Sequence, residues 1–139
     1  MDLSQDFDKM RSEFLERFRL NIEAHHLKDV ESIIDDLHDD FFSMSGGEIT
    51  YPTREEQRER FTRYLNDTTF SEYNSLMEPE IEFSDDGSVA WGKYKVKVRG
   101  VTTNLDGSTS QLDFVCAWLW LFRRVDGKWM RMGEVSTWK

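Results

Sequence analysis

The chain has 139 residues, 38% of them apolar, and a formal net charge of −9 at pH 7. These values indicate a single domain over residues 1–139, large enough to bury a core and too short for two. The negative charge repels phosphate backbones and excludes nucleic acid as the principal partner. The acidic N-terminus does not resemble a signal peptide and no apolar run could span a membrane, so we expect a cytoplasmic protein without a membrane partner.

The first predicted element is an amphipathic helix over about residues 3–24. Its apolar residues, from Phe7 to Ile22, recur at steps of three and four and therefore share one helical face. His25 and His26 follow in what we interpret as a polar, solvated connection.

Two further helices and a short strand are predicted in the first half of the chain. Asp29 is placed to accept hydrogen bonds from the free amides of a second helix, which we expect to end near residue 40. A strand at 41–45 then leads into a Gly-Gly turn. Thr53 and Glu56 form a capping box, a pattern typical of the first turn of a helix.

The second half of the chain is divided by three Asp-Gly pairs, at 86–87, 106–107 and 126–127. Asp-Gly favours a tight hairpin turn because both central residues of a type I′ turn need positive φ, which Gly adopts freely and Asp tolerates. The pairs therefore predict four antiparallel strands in a meander.

The spacing of these pairs also predicts strong curvature. Strands of about sixteen residues would be about 50 Å long, whereas a compact domain of this length is only about 37 Å across. Bends or interruptions are expected at Pro79, Gly92, Gly100 and Gly133. The expected architecture is a strongly curved antiparallel sheet, a half-barrel wrapped around the helices with a concave interior.

If every Asp-Gly pair is a two-residue turn, alternate side chains can be assigned to two faces of this sheet. The first face combines an acid-base ladder with many aromatic rings, and we expect it outside. It holds Glu78, Glu80, Glu82, Trp91, Lys93, Lys95, Lys97, Phe114, Cys116, Trp118, Trp120, Phe122, Trp129 and Arg131. The second face is apolar with few polar exceptions, and we expect it to be concave, against the helices. It holds Ile81, Phe83, Ala90, Tyr94, Val96, Val98, Val115, Ala117, Leu119, Leu121, Met130, Met132, Glu134, Ser136 and Trp138.

The aromatic patch on the expected outer face is too large to leave in water. Contiguous exposed aromatic area normally marks an interface, so we predict a homodimer through the face carrying Trp91, Trp118 and Trp120. Two alternatives stay open. Basic side chains of the same face could cover the rings in a monomer, or the patch could bind another protein.

Glu134 is the chemical anomaly of the expected concave face. A carboxyl on an apolar wall should have a raised pKa and could act as a general acid or base. Equally, it could pair with a helix arginine, such as Arg54 or Arg63, or lie at the rim of the pocket. Ligand contacts are expected from polar, aromatic and aliphatic side chains, namely Tyr94, Leu119, Met132, Ser136, Trp138, Tyr64 and Ser45.

No other pattern in the chain predicts a reaction. The HExxH, GxSxG, GxGxxG and P-loop motifs are missing, and the acidic pairs at 39–40 and 85–86 lack the further ligands of a calcium loop. His38 could cap helix carbonyls as easily as act in a site. The lone Cys116 has no partner for a disulfide or a cysteine zinc site, and we expect it to be structural. We therefore expect neither a metal nor a cofactor.

Three stretches of sequence resemble the SnoaL-like proteins of the nuclear-transport-factor-2-like superfamily. They are LKDVESIIDDLHDDF at 27–41, YPTREEQRERF at 51–61 and FRRVDGKWMRMGEVSTW at 122–138. The resemblance implies a conical α+β fold with three N-terminal helices packed in the concave face of the sheet, a pocket between them, and frequent homodimers. Members of this superfamily include isomerases, dehydratases and cyclases, and also non-enzymatic transport and assembly domains, so the fold does not fix the function.

The ketosteroid isomerases of this superfamily have a catalytic set that the chain does not match. Their helix tyrosine falls at about Asn21, their aspartate base at about Ser45, and their protonated aspartate near Leu119 or Trp120. A final-strand pocket residue of the small SnoaL-like proteins falls near Glu134. The sequence thus favours a protein that binds a small apolar ligand, with Glu134 as the leading polar group of its pocket. If the protein is an enzyme, the expected class is cofactor-free acid-base chemistry, such as isomerisation, dehydration or cyclisation. A non-catalytic binding or dimerisation module is the alternative.

Overall fold

The computed structural model describes the backbone of residues 3–139 and the side chains from residue 6 onward, as three helices and seven strands. The helices are α1 Leu3–Leu27, α2 Val30–Ile34 and α3 Arg54–Asp67. The strands are β1 Leu37–Ser45, β2 Glu48–Thr50, β3 Thr68–Ser75, β4 Glu80–Phe83, β5 Val89–Thr103, β6 Thr109–Val125 and β7 Lys128–Trp138. Among the described residues, no helix is long and apolar enough to cross a membrane.

Two helix boundaries differ from the prediction. His25 and His26 belong to the last turn of α1 rather than to a solvated connection, and His25 is buried, 6% exposed. The helix α2 is a single short turn of five residues, and β1 begins already at Leu37. Leu37 is drawn into the sheet because it pairs with Arg131 of β7.

The predicted caps are confirmed at both later helices. The side chain of Asp29 accepts a hydrogen bond from the amide of Ser32 at the start of α2. At the start of α3, Thr53 and Glu56 exchange the two hydrogen bonds of a capping box.

The strands form one sheet in the order β2-β1-β7-β6-β5-β3, with β4 also paired to β5. The pairing of β1 with β7 is parallel and the others are antiparallel. The predicted first strand of the meander is interrupted before Glu80, so that β3 and β4 both lie against β5. This confirms the expected interruption near Pro79.

The helix α1 crosses the concave face of the sheet and supplies the aromatic centre of the core. Phe14 contacts Phe122 and Trp129, with ring centroids 4.8 and 5.1 Å apart. Phe18 stacks on Trp120 at 4.9 Å. The α+β cone with helices in the concave face is therefore confirmed.

The three Asp-Gly turns are not equivalent, and their difference decides which residues face inward. The pair at 126–127 is a two-residue turn with φ of 51° and 76°, as predicted. The pair at 86–87 keeps the predicted register, with Glu80 opposite Lys93. The pair at 106–107 lies in a five-residue connection between Thr103 and Thr109, so the register of β6 moves by one residue.

Because the side-chain period of a strand is two, this shift reverses the predicted faces of β6. Tyr94 is paired with Trp118, and Trp118 and Trp120 point into the cone, while Leu119 lies outside beside Lys93. The predicted outer tryptophan patch is therefore wrong. Trp91 lies outside on β5 and does not share a face with the other two tryptophans.

A β-bulge then changes the face of β7. The register between β6 and β7 shifts between Leu121 and Phe122. Leu121 pairs with Gly133 and Phe122 pairs with Arg131, so Met132 of β7 is the extra residue. Arg131 before the bulge and Glu134 after it both line the concave side, whereas Met132 does not. The predicted concave positions of Leu119 and Met132 are wrong, and that of Glu134 is confirmed because the bulge offsets the change in β6.

Gly100 and Gly133 both lie beside register shifts, as their predicted role in bending requires. Gly133 also makes room for a ring of β1. A Cβ built on Gly133 would lie 2.1 Å from Cζ of Phe42, so this strand pair can approach only over a bare backbone.

We expect Gly133→Ala to lower the free energy of unfolding by about 1–3 kcal/mol, because the methyl group collides with a packed ring. Urea denaturation measures this loss. In a Phe42→Leu background the loss should be smaller, since the shorter side chain leaves space for the methyl group. An equal loss in both backgrounds would show that the ring contact is not its cause.

Candidate functional site

A cavity of about 660 Å³ lies between the helices and the concave face of the sheet. Its size is within the range of small-molecule sites in proteins. The walls are largely aromatic and include Phe61, Tyr64, Tyr94, Trp118 and Trp120. Polar groups from α1, β3 and β7 interrupt these walls at a few places, which is the usual composition of a ligand pocket.

Glu134 provides the carboxyl group of the cavity. Its side chain is 22% exposed, and Trp120 is its partner across the β6–β7 ladder. Burial raises the pKa of Glu134 above its usual range, against the lowering effects of the nearby Arg131 and Arg60 guanidinium groups and a hydrogen bond with the Trp118 side chain. A carboxyl group whose pKa is raised in this way can act as a general acid or base toward a bound molecule.

Arg131 is held deep in the wall next to Glu134. Its Nη2 donates hydrogen bonds to the Ile33 carbonyl at 2.7 Å and to Asp36 Oδ1 at 3.0 Å. Its guanidinium carbon lies 4.2 Å from the centroid of the Trp120 ring. The distance from Nη1 to Glu134 Oε2 is 3.9 Å, which is a contact of opposite charges but too long for a hydrogen bond.

His25 and Tyr73 form a second polar pair in the cavity wall. His25 Nδ1 lies 2.7 Å from the carbonyl oxygen of Asn21, so Nδ1 carries the proton and Nε2 is an acceptor. The Tyr73 hydroxyl, 3.2 Å from Nε2, is therefore the donor in that contact. Burial lowers the pKa of His25 to about 4, and the imidazole is neutral near pH 7.

Five of the seven predicted ligand contacts line the cavity, and two do not. Tyr64 of α3 and Tyr94 of β5 lie in the aromatic wall, and Ser45, Ser136 and Trp138 line the same cavity. Leu119 and Met132 are on the outer face for the register reasons given above.

Neither of the helix arginines named as possible partners of Glu134 is paired with it. Arg54 donates to the carbonyl oxygens of Ile34 and Leu37, which places its guanidinium at the end of α2. Arg63 is exposed. The closest arginine to Glu134 is the neighbour three positions earlier on its own strand, Arg131, which the sequence analysis had assigned to the outer face.

Several cavity residues were missed by sequence reasoning. His25 and Asn21 are one helical turn apart, a spacing that could have placed both on the buried face of α1. Arg60 lines the cavity from α3. Tyr73 carried no signal, because the interruption before β4 left its strand unassigned. Among the described residues, no group of three or more His, Cys, Asp and Glu side chains is placed to hold a metal ion.

No protein-family model matches the chain, and no curated protein sequence matches it. Solved structures do match. An NTF2-like protein from Cytophaga hutchinsonii superposes with a TM-score of 0.69 at 20% identity, over 91% of this chain and 96% of that one. A ketosteroid isomerase-like protein from Erwinia carotovora atroseptica gives a TM-score of 0.62 at 15% identity, over 87% of this chain and 89% of that one.

The association domain of C. elegans CaMKII is also similar, with a TM-score of 0.63 at 14% identity, over 95% of this chain and 98% of that one. These similarities extend over most of each chain. The protein therefore has the nuclear-transport-factor-2-like fold. At these identities the similarity establishes the fold and leaves the chemistry to the residues of the cavity.

The raised pKa of Glu134 predicts a pH-dependent stability that Glu134→Gln should remove. The folded state binds this proton more tightly than the unfolded state, so the wild-type protein loses stability as the pH rises from the ordinary glutamate pKa through the folded pKa. The amide cannot ionise, and its oxygen can still accept the Trp118 hydrogen bond. We expect the variant to melt a few degrees higher than the wild type at pH 8.

Thermal denaturation between pH 4 and pH 8 checks this prediction. The difference should shrink toward pH 4, where the carboxyl group of the wild-type protein is protonated in both states. A wild-type protein that is the more stable of the two at pH 8 would contradict the prediction.

Proposed function

We propose that the cavity binds a small apolar molecule and that Glu134 exchanges a proton with it, without a cofactor. The observation that carries this proposal is a carboxyl group with a raised pKa facing an aromatic cavity of about 660 Å³. The predicted contacts that line the cavity, Tyr64, Tyr94, Ser45, Ser136 and Trp138, would hold the ligand.

The chemistry open to one buried carboxyl group is proton transfer at an activated carbon. As a carboxylate it can remove a proton from carbon, and as the acid it can return that proton to another atom of the same molecule, which isomerises a double bond. In a dehydration the returned proton would leave with a hydroxyl group as water. The structural similarity to a ketosteroid isomerase-like protein supports this class of reaction.

Adjacent residues of β7 allow a matched test of the cavity. Ser136 lines it, whereas Thr137 is exposed on the outer face. We expect Ser136→Phe to fill the cavity and remove the increase in Tm that apolar ketones and phenols cause in the wild-type protein, and Thr137→Phe to keep that increase. Differential scanning fluorimetry with a ligand panel measures both.

Glu134→Gln separates binding from chemistry in the same experiment. The variant should keep the thermal shift of a neutral ligand and lose any isomerisation or dehydration of it, followed by the absorbance of the conjugated product. An unchanged rate in Glu134→Gln would remove Glu134 from the mechanism. The absence of a thermal shift with every ligand would contradict the binding function itself.

A non-catalytic role in self-association is the second candidate, and the outer face of the sheet supports it. Leu119 and Val135 are paired on this face, and each is 37% exposed. Trp91 and Leu121 extend the same apolar strip. We propose a homodimer through this strip, a role that the similarity to an association domain also favours.

We expect Leu119→Arg to convert the dimer to a monomer at micromolar concentration, because the new guanidinium lies beside Lys93 and brings an unpaired charge into the apolar strip. The dissociation constant should rise by about tenfold or more. Sedimentation velocity measures it. Leu105→Arg, at a hairpin tip that is 93% exposed, is the control and should stay dimeric. A monomeric wild-type protein contradicts the homodimer.

A further inference from the structure

The cavity contains two guanidinium groups whose capacity to bind an anion is incompletely used. Arg131 and Arg60 both line it, from β7 and α3. Glu134 lines the same cavity, and its carboxyl group lies 3.9 Å from Arg131 Nη1. The chain as a whole is acidic, with a net charge of −9. Two arginines that line one cavity contrast with this overall charge.

Arg131 is only partly satisfied by its neighbours. Its Nε is buried and has no hydrogen-bond partner among the described residues. Its Nη1 lies 3.9 Å from Glu134, beyond hydrogen-bonding distance. Asp36, its one close carboxylate, is shared with Arg17, whose Nη1 lies 2.9 Å from Oδ2. A buried guanidinium with unused donors gains free energy from a further acceptor.

Arg60 is available in a different way. The salt bridges of the described residues do not include it, and its guanidinium carbon lies 4.7 Å from the centroid of the Phe61 ring. Glu48 is the other carboxylate of the cavity lining, and it is exposed on β2. His25 is neutral and adds no charge. The cavity lining thus holds two guanidinium groups, that of the buried Arg131, which Asp36 partly neutralises, and that of the exposed Arg60. The carboxyl group within the wall is that of Glu134.

We propose that the ligand of this cavity is an aromatic monocarboxylate, with its ring against the aromatic walls and its carboxylate bound by Arg131 and Arg60. This inference rests on the proposed small-molecule function and specifies its ligand class. Tyr94 stacks on one face of the Trp118 ring, with centroids 5.0 Å apart, and the ligand ring would lie against the other face of Trp118. The carboxylate would accept the hydrogen bonds that the guanidinium donors cannot make within the protein.

A matched pair of probes tests the charge of the ligand in the unmodified protein. The probes are 2-naphthoate and 2-naphthamide, which differ chiefly in the negative charge. Isothermal titration calorimetry at pH 7.5 should give a dissociation constant for the acid at least about fivefold below that for the amide. Equal affinities, or tighter binding of the amide, overturn the proposal.

Two arginine variants on α3 locate the charge. Arg60→Gln should weaken 2-naphthoate binding by about fivefold and change 2-naphthamide binding by less than about twofold. Arg63→Gln, three residues along the same helix and exposed, should change neither. An equal loss for both probes in Arg60→Gln overturns the assignment of Arg60 to the anion.

The outcomes also distinguish this inference from the proposed function. Binding of the amide without any preference for the acid retains the apolar cavity and overturns the carboxylate ligand. Binding of neither probe at millimolar concentration overturns both.

Discussion

The buried ion pair between Asp36 and Arg131 joins the helical layer to the sheet, and the shape of the cavity depends on it. Asp36 follows α2, and its carboxylate is bound by Arg17 of α1 and by Arg131 of β7. Its backbone carbonyl also accepts a hydrogen bond from the Arg131 amide. Both side chains of the pair are 5% exposed, so removing Asp36 would leave the buried Arg131 guanidinium without its closest carboxylate. The parallel pairing of β1 with β7 begins at the same place.

The sequence contained enough information to predict the fold. It did not contain enough to predict, for every strand, which side chains face the concave side of the sheet. Capping residues and Asp-Gly pairs act locally, and Asp29, Thr53 and the three turns are where they were predicted. The face of a strand depends instead on whether a loop has an even or an odd number of residues. Residues 104–108 form a connection with an odd number of residues, which the Asp-Gly pair does not reveal. The predicted faces of Trp118 and Leu119 were therefore interchanged.

The prediction of Glu134 combined two errors that offset each other. With the true face of β6 and no bulge, Glu134 would have pointed outward beside Met132. The bulge at Met132 of β7 adds one residue to that strand and returns Glu134 to the cavity. Arg131 precedes the bulge, so only the error in the register of β6 affected its predicted position, and it was assigned to the outer face. The acid of the site could therefore be predicted and its basic neighbour could not, because the position of a bulge is set by tertiary contacts such as the Phe42 ring.

The balance of forces at Glu134 couples its proton to whatever occupies the cavity. Burial favours the neutral acid, while Arg131, Arg60 and Trp118 favour the carboxylate. A ligand that displaces water from the cavity strengthens the effect of burial. A ligand anion that binds the arginines weakens their stabilisation of the Glu134 carboxylate. Both changes raise the pKa of Glu134 in the complex. By linkage, ligand binding takes up a proton between the free and the bound pKa, and affinity decreases as the pH rises through that interval. In the proposed function the same carboxyl group would therefore exchange a proton with the ligand and also make ligand affinity depend on pH.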